Sequence, residues 1–424
     1  MNSKIEKELQ ELVTAEVISQ EVSQNISDYF TAKSEESPNR LFAIFGVLGS
    51  LLVGLGIILI LAHNWDEFSK TTKTIWAFVP LVIGQLAVAY SLFVKKSSLW
   101  KDASGTFLFF AIGSSISLVS QIYNIPGSMA SFLLGWIVLA APLIYLLKSH
   151  ALAVLHLIFA TAYACTAGYA NSGEPWWYLV MIAFVLPFYY KQIKSHPTAN
   201  MTAIYHWLLP LSAVICLGTF IVSNDTFGMV MYVTLFGLFY NIGRLKFFSQ
   251  QRLRINGYLI FGSLGTVATL IVASFRWFWE EGQIMSMVTS EILITAVIGV
   301  GAIMVLAKNI TTNKRQEFSL FQVAFLLFAF IYAVSSFGLT LPWIAINLLV
   351  FALGIFAMRT GSKTNRFSIL NYGLLIIAVL IACRFFDTNI TFVLRGILFV
   401  LIGAGFFAAN YIMYRKQQNL KNHE

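Results

Sequence analysis

The sequence predicts an all-α, polytopic membrane protein with about fourteen transmembrane helices, and three observations support this fold class. Of its 424 residues, 58% are hydrophobic and 11% are charged, whereas a soluble domain carries about 25% charged residues. Apolar stretches of about 20 residues, the length that crosses a bilayer, recur from residue 41 almost to the C-terminus. The loops between these stretches alternate between many and few Lys and Arg residues, as expected when successive loops lie on opposite sides of a membrane.

Residues 1–38 precede the apolar part and are predicted to form a short cytoplasmic pair of helices. Apolar residues from Ile5 to Val13 fall on one helical face, and Ser19 suits the N-cap of the second helix. Through residue 36 the segment holds eight acidic residues and three lysines. An acidic polar face is not typical of a membrane-surface anchor, so we expect this pair to dock on the membrane domain or on a partner protein.

Fourteen candidate spans follow, and they are grouped into a six-span N-terminal membrane domain (39–191) and an eight-span C-terminal one (192–424). The joins at 147–150 and 337–340 are so short that the count depends on them. The spans are approximately 41–62, 74–94, 103–124, 130–147, 150–169, 175–191, 201–222, 227–243, 256–276, 288–307, 318–337, 340–358, 367–385 and 390–413.

The distribution of basic residues predicts the orientation. With fourteen spans, the N-terminal segment, the C-terminal tail and the loops on their side hold 23 Lys or Arg, and the loops on the opposite side hold four. Lys and Arg accumulate on the cytoplasmic side of a membrane. Both termini are therefore predicted to be cytoplasmic, and the net charge of +9 is explained by topology and not by nucleic-acid binding.

The third span carries a polar strip. Ser114, Ser117, Gln121 and Asn124 are spaced by three, four and three residues, which places them on one helical face. Lipid offers such a strip no hydrogen-bond partner, so it must face protein or water. We therefore expect this helix to lie centrally in the bundle.

Small residues predict close helix packing in two places. Gly46, Ser50 and Gly54 repeat every fourth position on the first span, which is a small-xxx-small ridge. Gly113 lies four residues before Ser117 and lets another helix approach the third span.

The first and third spans together resemble a known family. The runs GVLGSLLVGLGIILILAHNWDEF (46–68) and GTFLFFAIGSSISLVSQIYNIPG (105–127) resemble the predicted bacterial membrane proteins grouped as domain of unknown function 2157. RFFDTNITFVLRGILFVLIGAGFFAANY (384–411) is similar to the end of longer members. The resemblance covers roughly 1–190 plus this hairpin. It implies a multi-pass protein of the bacterial inner membrane and supplies no activity. Family members often neighbour genes for periplasmic proteins with a GDYxxLxY motif, which implies an envelope partner.

Depth in the membrane predicts a candidate site. Arg395 lies within the last span, where an ionised side chain is by default a functional hypothesis, although it can also snorkel to the outer headgroups. The predicted outer depth is shared by a set of polar residues that we propose to be ligand-binding. They are Asp66, Ser117, Gln121, Asn124, Arg384, Asp387 and Arg395. A structural ion-pair lock would place the same residues at the same depth. Further hydrophilic lining is expected from Gln85, Asn241, Asn347, Asn371 and Asn410.

Other site types are not indicated. Cys165, Cys216 and Cys383 are far apart in apolar spans, which predicts neither a disulfide framework nor a metal site. His156 and His206 are isolated and are expected to be interhelical hydrogen-bonding residues. The chain has no HExxH, P-loop, dinucleotide-binding or GxSxG motif, so we expect no enzyme activity, no cofactor and no metal.

Two functions stay open. One is a small-solute transporter or permease with an outward-facing polar pocket, whose ligand the sequence does not identify. The alternative is a non-enzymatic membrane scaffold or envelope-assembly factor that binds a periplasmic partner. Both place the chain in the lipid bilayer, and neither requires nucleic acid.

Overall fold

The computed structural model describes most of the chain. The described residues are 3–35, 65–95, 97–221, 225–249, 253–280, 289–312, 318–336, 342–387 and 392–421. All regular structure within these ranges is helical, and none of it is a strand. The predicted all-α fold class is therefore confirmed.

Eighteen helices cover most of the described ranges. They are α1 Ser3–Thr14, α2 Gln20–Glu35, α3 Lys70–Tyr90, α4 Ser98–Tyr123, α5 Met129–Ala140, α6 Pro142–Leu147, α7 His150–Tyr169, α8 Trp177–Ser195, α9 Asn200–Leu217, α10 Asp225–Gly243, α11 Lys246–Ser249, α12 Gly257–Ala273, α13 Trp277–Glu280, α14 Thr289–Thr312, α15 Ala324–Ser336, α16 Pro342–Lys363, α17 Phe367–Asp387 and α18 Phe392–Lys421.

Two compact units divide the chain, Met1–Trp76 and Ala77–Glu424. In the first unit, α1 and α2 pack on each other and bury Leu9. Leu12, Val17 and Val22 are apolar side chains that stay exposed on this pair. The two helices lie where the apolar spacing of residues 1–38 predicts them.

Within the described ranges, nine helices are long and apolar enough to cross a membrane. Two shorter apolar helices, Gly257–Ala273 and Ala324–Ser335, accompany them. Each predicted span from the second to the fourteenth is overlapped by a helix. The first, 41–62, lies outside the described residues. The total of fourteen and the cytoplasmic position of both termini stay predictions.

The short join at 147–150 is a genuine turn. Lys148 adopts a left-handed conformation (φ 53°) that ends α6, and its N–H donates to the Ile144 carbonyl. The Ser149 side chain then accepts a hydrogen bond from the Leu152 N–H and caps α7. A left-handed residue followed by an N-cap reverses the chain within two residues. The other short join, at 337–340, lies outside the described residues.

The C-terminal half is built around α10, the most buried of the candidate spans. It packs on α12, α14 and α15. Gly262 of α12 faces the backbone of Tyr240 on α10, where a Cβ atom would overlap the main chain. Such glycines allow helices in a membrane to approach closely. In the hairpin of α16 and α17, Gly361 likewise lies against the backbone of Leu370 and allows close packing.

The N-terminal half of the second unit is a group in which α4 packs on α5 and α7, and α7 also packs on α8 and α9. Gly113 of α4 faces the indole of Trp136 on α5, which occupies the space that a Cβ would need. The indole N–H donates to the Phe109 carbonyl over 2.7 Å. Phe109, Trp136 and Phe159 form an aromatic cluster with ring centroids 4.6–5.3 Å apart. This cluster joins α4, α5 and α7.

Candidate functional site

Ser117, one of the predicted site residues, lines a cleft of about 820 Å³ formed by α3, α4, α5 and the turn between the last two. This volume lies in the range of small-ligand sites, roughly 300–1,000 Å³. The apolar wall includes Phe78, Leu81, Ile112, Ile116, Phe132 and Leu139. The polar lining consists of Gln85, Ser115, Ser117, Ser120, Ser128 and Ser131. None of the described lining residues is charged.

Four of the five serine hydroxyls in this cleft already stabilise the fold. Ser115 donates to the Ala77 carbonyl over 2.7 Å and ties α4 to α3. Ser120 donates to the Ile125 carbonyl over 2.9 Å across the end of α4. Ser128 and Ser131 form a reciprocal capping box at the start of α5. These hydroxyls shape the cleft and are engaged within the protein.

The two remaining polar groups, Ser117 and Gln85, have no hydrogen-bond partner within the described ranges. Both side chains are exposed and both line the cleft. A hydroxyl and an amide supply donors and acceptors without charge. The cleft therefore presents an apolar surface with two available neutral polar groups.

The cleft is deep along the helix axes. Its loop end is formed by residues 125–128, and on α5 its lining extends from Met129 to Leu139. Ten residues of helix correspond to about 15 Å, which is half of a hydrocarbon core about 30 Å thick. Gln85 lies 15 residues from the start of α3, about 22 Å along that helix. With the turn at 125–128 at the membrane surface, as the sequence predicts, this lining would extend at least to about the middle of the hydrocarbon core.

Of the predicted strip on the third span, Ser117 is the member that lines this cleft. Ser114, Gln121 and Asn124 are exposed along the same helix but are not part of the described lining. Asn124 also ends α4 in a left-handed conformation (φ 48°). The Ile125 N–H then donates to the Ser120 carbonyl over 2.9 Å. The backbone of Asn124 thus has a structural role, which its αL tolerance explains.

Arg384 lies in a different group of helices. Its Nη2 donates to Ser274 Oγ over 3.1 Å, and its guanidinium carbon lies 4.7 Å from the centre of the Phe275 ring. The helix that carries it, α17, packs on α16, α18 and α12. None of these contacts involves a helix that forms the Ser117 cleft. The predicted depth that Arg384 shares with Ser117 therefore does not place Arg384 in the cleft lining.

The other predicted site residues give less information. Asp66 is exposed in a short 3₁₀ turn of the first unit. Asp387 ends α17 and Arg395 lies in α18, but their side chains are outside what the structure describes. Gly46, Ser50 and Gly54 also lie outside the described residues. A pocket that joins these residues to Gln121 stays a prediction.

Sequence reasoning missed a buried amide network around Asn241. Asn241 Nδ2 donates to the carbonyls of Gly237 and Gln322, each over 2.9 Å. Gln322 Nε2 donates back to Asn241 Oδ1 over 3.3 Å, and Asn309 Nδ2 donates to the Asn241 carbonyl over 2.8 Å. Asn241 was expected to line a hydrophilic path, yet it is fully buried between α10, α14 and the turn before α15. The network therefore joins helices.

Glu291 is a second residue whose environment the sequence did not reveal. Its side chain is fully buried in the first turn of α14. The spacing of the buried residues along α14 could have indicated that Glu291 is buried. Glu291, Ile294, Ala302 and Leu306 are all buried and fall on one face of the helix. Because Glu291 lies in the turn before the apolar run of α14, the sequence alone did not show that its side chain is buried.

The histidines behave as expected. A ring nitrogen of His156 lies 3.0 Å from the Met181 carbonyl, and one of His206 lies 3.3 Å from the Ile255 carbonyl. Both rings are buried and join neighbouring segments. The described ranges contain no group of three or more His, Cys, Asp or Glu side chains placed to hold a metal ion.

Comparison with known proteins gives one match. Neither a curated protein nor a solved structure matches the chain. The family described as Predicted membrane protein (DUF2157) matches residues 10–153, which include α3, α4, α5 and the whole lining of the cleft. The resemblance predicted from the first and third spans is thereby confirmed: this is a membrane protein with several apolar helices, and its residues 10–153 match the DUF2157 family of predicted membrane proteins.

Proposed function

We propose that this protein is a small-solute permease of the bacterial inner membrane, non-enzymatic, with both termini in the cytoplasm and with the Ser117 cleft as its outward-facing solute site. The observation that carries the proposal is the pair of available polar groups, Ser117 and Gln85, in one cleft. The predicted span boundaries would place this cleft at a depth that reaches the middle of the membrane. Polar groups at that depth are costly unless they meet protein, water or a ligand.

The lining defines the solute class. No described lining residue is charged, so nothing there would offset the desolvation of an ionic solute. A hydroxyl and an amide above an apolar wall suit a neutral molecule that has hydrogen-bonding groups on one side and a less polar opposite side. Small polyols and sugars have this character.

The predicted orientation gives the cleft its direction. The turn at 125–128 follows the third span, on the side predicted to be periplasmic. The cleft would then accept solute from the periplasm. The pronounced burial of α10 in the other half of the unit supplies a rigid body against which the α3–α5 group can move, as alternating access requires.

The test is ligand-dependent stability of the purified full-length protein in detergent. A ligand that binds only the folded state stabilises it by about 2.7 kcal/mol at a hundredfold excess over its dissociation constant. A panel of neutral polyols and sugars should contain a compound that raises the melting temperature of the wild type. Ser117→Ala and Gln85→Leu should reduce that shift.

A matched control is available on α4. Ser114→Ala makes the same change as Ser117→Ala on the same helix, at a position outside the cleft lining, and should keep the full shift. Uptake of the same compound into proteoliposomes would then separate transport from binding alone. An equal loss in Ser114→Ala and Ser117→Ala would argue against the cleft as the binding site.

A membrane scaffold is the second candidate, and one observation favours it. Leu12, Val17 and Val22 are exposed on the acidic pair α1–α2, where a partner protein would cover them. If no solute stabilises the protein, while Leu12→Ser and Val22→Ser abolish a stoichiometric complex with a protein that binds the cytoplasmic side, the scaffold proposal replaces the permease.

A further inference from the structure

We propose that a second cavity, at the helix ends predicted to be cytoplasmic, binds the headgroup of an acidic phospholipid of the cytoplasmic leaflet. The cavity has a volume of about 570 Å³ and is formed by α10, α12, α16, α17 and the turn before α15. It shares no lining residue with the Ser117 cleft. The proposal rests on the predicted orientation and does not depend on the proposed transport function.

Charge is the first observation that points to an anion. Arg244, Lys363 and Arg366 line the cavity, and none of the described lining residues is acidic. Arg244 follows the end of α10, whereas Lys363 and Arg366 bracket the turn between α16 and α17. Three cations from two separate turns converge on one space. Basic pockets between transmembrane helices at the cytoplasmic side are suited to anionic headgroups.

Hydroxyl groups add neutral donors to these cations. Ser263 Oγ donates to the Tyr372 hydroxyl over 2.9 Å. Because the Tyr372 oxygen accepts this bond, its own proton remains to be donated to a phosphate oxygen. Thr360 and Ser368 also line the cavity, on the two helices that present Lys363 and Arg366. Phosphate oxygens accept such hydrogen bonds together with charge-assisted ones.

The apolar part of the lining favours a lipid over a free phosphate. Leu264 is 52% exposed, although it lines the cavity. It lies seven residues after Gly257, the first residue of α12, which is about 10 Å along the helix. Leu253 and Phe318 are exposed apolar residues near the basic end. The cavity thus leads from basic residues at the surface to apolar residues at acyl-chain depth. A phosphodiester with attached acyl chains matches both parts.

The experiment compares lipids by their effect on the thermal unfolding of the full-length protein in detergent micelles. Phosphatidylglycerol should raise the melting temperature, and phosphatidylcholine, which has no net charge, should not. Lys363 and Arg366 have exposed side chains, so Lys363→Gln with Arg366→Gln should fold normally. This double variant should weaken phosphatidylglycerol binding roughly 30-fold, from about 1 kcal/mol for each charge lost.

Arg359→Gln is the matched control. Arg359 lies one turn before Lys363 on α16, is exposed and does not line the cavity, so its loss should leave phosphatidylglycerol binding unchanged. Native mass spectrometry should show phosphatidylglycerol retained by the wild type and by Arg359→Gln, and lost from the double variant. Equal binding by the double variant, or equal stabilisation by phosphatidylcholine, would overturn the proposal. Equal stabilisation by inorganic phosphate would show that the occupant is a soluble anion, and the lipid assignment would be wrong.

Discussion

The guanidinium of Arg384 donates a hydrogen bond to Ser274 Oγ over 3.1 Å. The carbonyl of the same serine accepts a hydrogen bond from Asn347 Nδ2 over 2.9 Å. Ser274 follows the last residue of α12, Asn347 lies on α16 and Arg384 on α17, so one fully buried serine joins three helices. A residue that depth alone assigns to a ligand site thus stabilises the bundle.

Arg384→Met should destabilise the protein by about 1.5–3 kcal/mol, the range for a hydrogen bond to a charged group. The cation–π contact with Phe275 is lost with the same change. Denaturant unfolding of the full-length protein in detergent measures the effect. The variant should keep the solute response attributed to the Ser117 cleft. A stable Arg384→Met protein that has lost that response would instead support a pocket shared by both regions.

Gly113 has no space for a side chain next to Trp136. A Cβ at this position would overlap the indole of Trp136, so Gly113→Ala should cost about 1–3 kcal/mol through overpacking. Thermal unfolding in detergent tests this. Gly135→Ala is the control, because no atom of another described segment lies within 4 Å of a Cβ placed there. That change should be neutral or stabilise by up to about 1 kcal/mol through helix propensity.

A double variant shows whether the Trp136 ring is the cause. Trp136→Phe shortens the ring system and removes the hydrogen bond to the Phe109 carbonyl, so it should destabilise by itself. In Gly113→Ala with Trp136→Phe, the smaller ring relieves part of the overlap, and the two costs should sum to more than the observed loss. Strict additivity would mean that Gly113 is required for another reason.

Hydropathy located the helices because a bilayer requires every backbone polar group to be bonded within its own segment. The period of 3.6 residues also placed Ser114, Ser117 and Gln121 on one face, and Ser117 does line a cleft. What the sequence did not supply is which helices are neighbours. Gln121 and Arg384 share a predicted depth, yet Arg384 contacts Ser274 and Phe275 at the end of α12, because depth carries no information about position around the bundle.

The sequence also does not show whether an isolated amide in an apolar span lines a cleft or joins helices. Asn241 and Gln85 both appear as isolated polar residues in apolar spans, and both were expected to line a hydrophilic path. The structure places Gln85 in the cleft and Asn241 in a network of amides and carbonyls. Asn241 meets the requirement for a hydrogen-bond partner within the protein, whereas Gln85 would meet it with water or a ligand, so only the tertiary contacts distinguish them.

Asn241→Ala should cost about 1–3 kcal/mol, because it leaves the buried side-chain amide of Gln322 without its acceptor. Combined with Gln322→Ala, the loss should be smaller than the sum of the single losses, since the two side chains bond each other. Asn410→Ala is the control: its amide bonds Asn371, whose side chain is exposed, so the cost should stay below about 1 kcal/mol. Equal losses at Asn241 and Asn410 would contradict a special role for the buried network.

The orientation of the chain can be tested by labelling introduced cysteines in intact cells. Ile125 and Lys194 are exposed in the structure; the first lies on the side predicted to be periplasmic and the second on the cytoplasmic side. Ile125→Cys should react with a membrane-impermeant maleimide, and Lys194→Cys should react only after the membrane is permeabilised. The native Cys216 is buried, and Cys165 and Cys383 are half-buried within helices, so the wild type measures the background. The reverse labelling pattern would place the Ser117 cleft on the cytoplasmic side and the basic cavity outside, and both proposals would then have the wrong direction.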